Sequence, residues 1–238
     1  MDGISPRHRA HKVVWPWLTL LAVLAMLGIR VYLLLLEPPH RSEFLFHWGV
    51  VPVNVLELLS QPVSLWPGLE LASLFSALLV HGSWPHLLGN LADLWVFGIP
   101  LERYVGHAGF LFVFLFAGGL TNLLLVLQVP GLATPVIGAS GGVSAVIGCY
   151  LTLFPSRRIG VYLPLGLYLQ YVSIPSLLVI GSWFVLQVAY TVFGPVAEQI
   201  AWRVHVEGFV AGILGGLLLW LVSARVRLHV QQVARDRI

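Results

Sequence analysis

The sequence predicts an all-α polytopic membrane protein, a bundle of six transmembrane helices with a long first outer loop. Three observations carry this reading. Of 238 residues, 58% are hydrophobic and only 10% are charged. A soluble domain carries about 25% charged residues, so this chain cannot clothe itself in a polar surface. Apolar runs of roughly 20 residues recur, each long enough to cross a hydrocarbon layer of about 30 Å. Proline and glycine punctuate their ends, at Pro130-Gly131, Pro155, Pro164, Pro175 and Gly194-Pro195.

The first run follows Arg7, Arg9 and Lys12 and continues from Val14 to about Leu36. The apolar core of a cleaved signal peptide is shorter, about 7–15 residues, so 14–36 is expected to be a retained signal-anchor span. Further spans are expected at about 86–105, 108–129, 139–155, 171–193 and 203–224. The 139–155 segment is short for a crossing, which a bundle tolerates where protein surrounds the helix ends. Residues 14–224 then form one membrane domain between the tails 1–13 and 225–238.

Under this topology ten of the thirteen basic residues fall on one side: Arg7, Arg9, Lys12, Arg103, Arg157, Arg158, Arg225, Arg227, Arg235 and Arg237. Cytoplasmic loops are enriched in Arg and Lys, so both termini are expected in the cytoplasm. The outer loop, about 37–85, mixes Glu37, Glu43, Glu57 and Glu70 with Phe44, Phe46, Trp48 and Trp66. That aromatic content argues against disorder and for short helices lying in the membrane interface.

Composition also excludes. The net charge of +3 comes from short clusters near helix ends; there is no nucleic-acid motif, and the implied partner is the lipid bilayer. The single cysteine, Cys149, sits in an apolar run, ruling out an intramolecular disulfide or a thiolate metal cluster. No metal or cofactor site is expected.

Three polar constellations interrupt the apolar runs. His81-Gly-Ser-Trp-Pro-His86-Leu-Leu-Gly-Asn90 places His86 and Asn90 one helical turn apart on a face that Asp93 continues. Taken alone, His86 and Asn90 also read as hydrogen-bonding glue between helices. Gly138-Ala139-Ser140-Gly141-Gly142 marks a sharp approach to the fourth span, with Ser140 at a helix N-terminus, where unpaired N–H groups favour developing negative charge. Taken alone, it also reads as a small-residue packing face. His205-Val-Glu207-Gly208 begins a Gly208-x-x-x-Gly212 repeat that lets the last helix press closely on a neighbour. If that neighbour is the fourth helix, the imidazole reaches Ser140. A serine hydroxyl is a weak nucleophile without an adjacent base, and a neutral histidine suits a partly desolvated site. All three constellations lie in the outer half of the membrane, and together they supply a nucleophile, a base and polar donors for acyl transfer. Asp93 and Gln187 are expected to serve as structural hydrogen-bonding groups within spans, with a role in water supply as the alternative.

From about Phe44 to Val222 the sequence resembles the rhomboid family of intramembrane serine proteases. The resemblance rests on H-G-S-W-P-H-L-L-G-N, on F-G-x-x-x-E at Phe97, Gly98 and Glu102, on G-A-S-G, and on H-x-x-G-x-x-x-G in the last helix. It implies Ser140 as nucleophile and His205 as base, with an oxyanion hole from His86, Asn90 and the Ser140 N–H. His81, Gly138, Gly141, Gly208 and Gly212 would support the site. It implies a dyad without a third carboxylate, no cofactor, and membrane-protein substrates cleaved near the outer ends of their transmembrane helices. It also implies a gate formed by the fifth helix and loop 194–202, while the compact six-span form points to a bacterial inner membrane. Three positions depart from the family pattern. Ser144 stands where an aromatic residue often packs on the histidine, Glu207 where a small residue is usual, and Arg203 where an aromatic one is common. Arg203 and Glu207 are four apart and are expected to pair on one helix face. The alternative reading is a catalytically weak or inactive rhomboid-like protein that binds client helices. A transporter would need polar groups along a complete path, and here they cluster toward one side.

Overall fold

A computed structural model describes residues 14–63, 69–165, 168–224, 226–228 and 231. The tail 1–13, most of the tail 225–238, and Trp66 of the outer loop lie outside the described residues.

The first apolar run is the helix α1, Trp17–Leu35. Its start carries N–H groups with no partner inside the helix. Glu102, fully buried, supplies it from a distant part of the chain: its carboxylate accepts from the N–H of Leu18 (3.0 Å) and Thr19 (2.7 Å) and from the Thr19 hydroxyl (2.6 Å). A carboxylate at a helix N-terminus also meets the positive end of the helix dipole, a stabilisation of up to about 2 kcal/mol in partly buried geometry. His107 completes this cluster through its Nδ1 on the same carboxylate.

The outer segment contains the short helices expected of it. It forms the short helices α2 (Pro38–Trp48), α3 (Pro52–Leu59) and α4 (Leu69–Ser76), the first two with proline in the first turn. Val50, Val55, Leu74 and Ala77 bury a small apolar cluster against Val126 of the membrane bundle.

The stretch Trp84–Gln128 is helical over 45 residues, but Gly106 breaks it with a φ of 81°. Only glycine adopts that value without strain. On one side lie α5 (Trp84–Asp93), a π-helical turn at Leu94–Gly98, and most of α6 (Ile99–Leu111). On the other lie a second π-helical turn, Phe112–Ala117, and α7 (Gly118–Gln128). Then comes α8, Ser140–Leu153, a short apolar helix almost wholly enclosed by protein. Leu87, Leu94, Leu101, Phe110, Phe114, Val146 and Tyr150 are among the side chains of the main core around it.

The next segment departs from the expected helical span at 171–193. Arg158–Leu165 and Tyr168–Pro175 are strands β1 and β2, paired antiparallel from Arg158↔Pro175 to Leu165↔Tyr168. Ile159, Val161, Tyr162, Tyr171, Val172 and Ile174 are residue types that pack well on a pleated surface. The helix α9 therefore begins at Ser176 and runs to Phe193. Ser176 is anchored to the end of α8, its hydroxyl donating to the carbonyls of Phe154 (3.1 Å) and Pro155 (3.2 Å). The last helix, α10, starts earlier than expected, at Val196, and continues to Val222. Pro195 fits the position before a first turn, and the expected loop 194–202 shrinks to Gly194-Pro195. Among the described residues the protein is thus mainly helical, with one hairpin, and four helical stretches are long and apolar enough to cross a membrane.

Candidate active site

The contact that assembles the site is between α8 and α10. At Gly208 a Cβ atom would run into the carbonyl of Gly141 and sit 3.1 Å from Ser144 Cβ; at Gly212 it would run into the Ala145 carbonyl. Gly141 and Gly148 on α8 are equally confined, by Thr121 and by the Phe209 carbonyl. Backbone meets backbone along this seam, the close approach that small residues permit between membrane helices. Ser140 is the first residue of α8 and half-buried, and His205 lies one turn before Gly208 on α10. Both line a cavity of about 240 Å³ together with Pro85, His86, Gly89, Asn90, Asp93, Val143, Ser144, Trp183, Gln187 and Trp202. No hydrogen bond joins Ser140 to His205 among the described residues.

The opposite wall is α5, capped by Ser83, whose hydroxyl accepts from the His86 N–H. The His86 ring lies over Gly138: a Cβ there would come within 2.9 Å of Nε2, and φ is +129°, in the region that favours glycine. The approach to Ser140 is pinned from the outer segment. The Gly138 N–H donates to the Ala77 carbonyl at 2.9 Å, and Val50 and Val136 exchange backbone hydrogen bonds of 2.9 and 2.7 Å. Asn90 is buried, and its Nδ2 donates to the His86 carbonyl and to His81 Nε2, both at 3.0 Å. His81, fully buried, also receives the Ala139 N–H at 3.4 Å. Burial, with His86 nearby, pushes the His81 imidazole down to about 4, so it acts as a neutral acceptor tying α5 to the start of α8. The Asn90 donors are therefore engaged within the fold rather than turned freely into the cavity.

The third wall comes from α9. Gln187 is buried, and its Oε1 lies 2.8 Å from His205 Nδ1. The spacing of motifs gave no hint of this role, since a lone glutamine in an apolar helix reads as structural; its isolation in that helix was the only signal. The Trp202 ring stands edge-on to His205 at 5.6 Å and stacks on Tyr190 at 4.7 Å. Ser144, where an aromatic side chain could otherwise have packed on the ring, is buried beside the seam.

The expected Arg203–Glu207 pair is not direct. Gln128 at the end of α7 stands between them, donating through Nε2 to Glu207 Oε1 and accepting from Arg203 Nη1 at 3.3 Å. An amide with one donor end and one acceptor end can serve both charges at once, which draws α10 to α7 as well as to α8.

Comparison with known proteins matches this architecture. Residues 68–222 fit the family profile described as the Rhomboid domain. The chain is 27% identical over 169 residues to "Rhomboid protein 1, mitochondrial" of Saccharomyces cerevisiae, covering 67% of this chain and 44% of that protein. It is 29% identical over 144 residues to "Rhomboid-related protein 2" of Mus musculus, covering 60% of this chain and 44% of that protein. The chain thus spans less than half the length of these curated relatives. With a matched domain that takes in α4 to α10 and the cavity between them, this integral membrane protein belongs to the rhomboid family.

Proposed function

We propose that the protein is an intramembrane serine endopeptidase that cleaves transmembrane helices near the extracytoplasmic side of the bilayer. The observation that carries this is the glycine seam between α8 and α10, which brings Ser140 and His205 into one cavity faced by His86 and Asn90. In this reading Ser140 Oγ attacks the substrate carbonyl carbon and its proton passes to His205 Nε2. The oxyanion meets the His86 side chain, the Ser140 N–H and an Asn90 amide released from its internal partners. Collapse breaks the C–N bond, the imidazolium returns the proton to the leaving amine, and water cleaves the acyl-enzyme by the reverse sequence. Asp93, lining the same cavity, gives water a polar approach. The distribution of Arg and Lys supports an orientation with both termini in the cytoplasm.

A second reading, client binding without cleavage, draws on the missing Ser140–His205 hydrogen bond and the engaged Asn90. Catalytic hydrogen bonds often tighten only when substrate binds, so the first reading is favoured. The test is cleavage of a reporter transmembrane substrate by purified protein in detergent or liposomes, beside Ser140→Ala and His205→Ala. The proposal expects cleavage by the parent and none by either variant, with fluorophosphonate labelling of Ser140 dependent on His205. Cleavage that persists in Ser140→Ala overturns the mechanism. A parent that neither cleaves nor labels, yet retains the helix in pull-down, establishes the second reading.

A further inference from the structure

α9 is the most lipid-exposed wall of the site, and it buries few side chains. Ser176 and Ile180 are buried near the hairpin; in the outer part of the helix only Gln187 is. Leu178, Val185, Leu186, Val192 and Phe193 are exposed around it. A primary amide in an apolar helix is costly unless hydrogen-bonded, and the partner found here is the imidazole Nδ1 of His205 at 2.8 Å. Neutral imidazole carries one proton, and the partner of one ring nitrogen decides which nitrogen holds it. A carbonyl oxygen only accepts, so an Oε1 facing Nδ1 selects the Nδ1–H tautomer. Nε2 is then left as the acceptor for a serine proton. Ser144 offers the ring no aromatic face to rest on, so orientation of the base falls to this hydrogen bond and to the Trp202 edge.

We propose that Gln187 is the positioning residue of this site, fixing the tautomer and rotation of His205 from α9. The inference rests on the serine protease reading above and deepens it.

The experiment uses the full chain in liposomes with a reporter transmembrane substrate, comparing Gln187→Leu, Gln187→Glu and Ser140→Ala. Gln187→Leu removes the acceptor; kcat should fall by roughly 10- to 100-fold with KM changed less than about twofold, since a misplaced base weakens the transition state and not substrate binding. Gln187→Glu keeps an acceptor and adds negative charge, which favours the imidazolium. Its activity should exceed that of Gln187→Leu, and the acid limb of its kcat/KM profile should move to higher pH. Nitrogen-15 spectra of labelled histidine should show Nδ1–H in the parent and mixed tautomers in Gln187→Leu. A merely structural glutamine would move neither the pH limb nor the tautomer. Parental kcat and tautomer in folded Gln187→Leu overturn the inference. If Gln187→Leu does not fold, an unshifted acid limb in Gln187→Glu does so. Cleavage that survives Ser140→Ala defeats the underlying mechanism instead, whereas an inert Ser140→Ala beside indifferent Gln187 variants defeats this inference alone.

Discussion

Two walls of the same cavity are built on opposite principles. α8 buries eleven of its fourteen residues and meets α10 through glycines whose missing side chains are filled by neighbouring carbonyls. α9 buries three of its eighteen residues and turns leucines and valines outward. Ser140 and His205 come from the first kind of surface, and the partner of His205 Nδ1 comes from the second. The α8–α10 contact leaves no room for a Cβ, whereas α9 is held by the Ser176 hydroxyl, by aromatic contacts to α10 and by the Gln187 amide. The difference teaches that Ser140 and His205 are placed by close packing, while the polar partner of His205 comes from the least buried wall of the cavity.

The comparison breaks most severely at Gly212. In Gly212→Val the new side chain collides with the Ala145 backbone, which cannot rotate away. Destabilisation should reach or exceed the roughly 1–3 kcal/mol of ordinary overpacking, with cleavage and fluorophosphonate labelling lost; thermal unfolding in detergent reads the first. A variant with parental stability would show that the seam is not tight.

Gly138→Ala comes next. It forces alanine to a φ of +129° and pushes on the His86 ring. Such backbone strain is on the order of 1–3 kcal/mol, and the displaced ring should lower kcat by about tenfold or more. Unchanged kinetics would remove His86 from the proposed oxyanion hole.

Glu207→Gly is expected to act weakly. It removes one of two charges bridged by Gln128, with a stability loss of about 0.5–1.5 kcal/mol, the worth of one hydrogen bond. Cleavage should stay within about threefold of the parent. A tenfold rise would instead mean that the carboxylate had been hindering His205.

The smallest effect is expected on the outer face of α9. Leu186→Ala trims a lipid-exposed side chain and should change stability by less than about 0.5 kcal/mol, with cleavage unchanged. A loss of roughly 2–5 kcal/mol, typical of a core leucine, would mean that α9 is packed as firmly as α8.

Much of this is legible in the sequence. Apolar runs fell where helices lie because a bilayer filters by length and hydropathy alone. The Gly-Ala-Ser-Gly and His-x-x-Gly-x-x-x-Gly strings pointed to a tight helix pair, since glycine at that spacing has few other uses in a membrane. The hairpin 158–175 was missed because its tyrosines, leucines and valines suit a membrane helix as readily as a strand, and only pairing of the two segments decides between them. The Arg203–Glu207 pair was half legible: their shared face follows from spacing, while Gln128 lies 75 residues from Arg203 and enters only through folding.

The sequence by itself determined that the chain lives in a membrane, roughly where most of its apolar helices fall, and where its polar residues cluster. Those are local properties of composition and period. Tertiary structure alone decided that Glu102 caps α1, that Ala77 and His81 pin the approach to Ser140, and that Gln187 faces His205. Each joins groups far apart along the chain, and a buried polar atom chooses its partner by what packing brings within reach once water is gone.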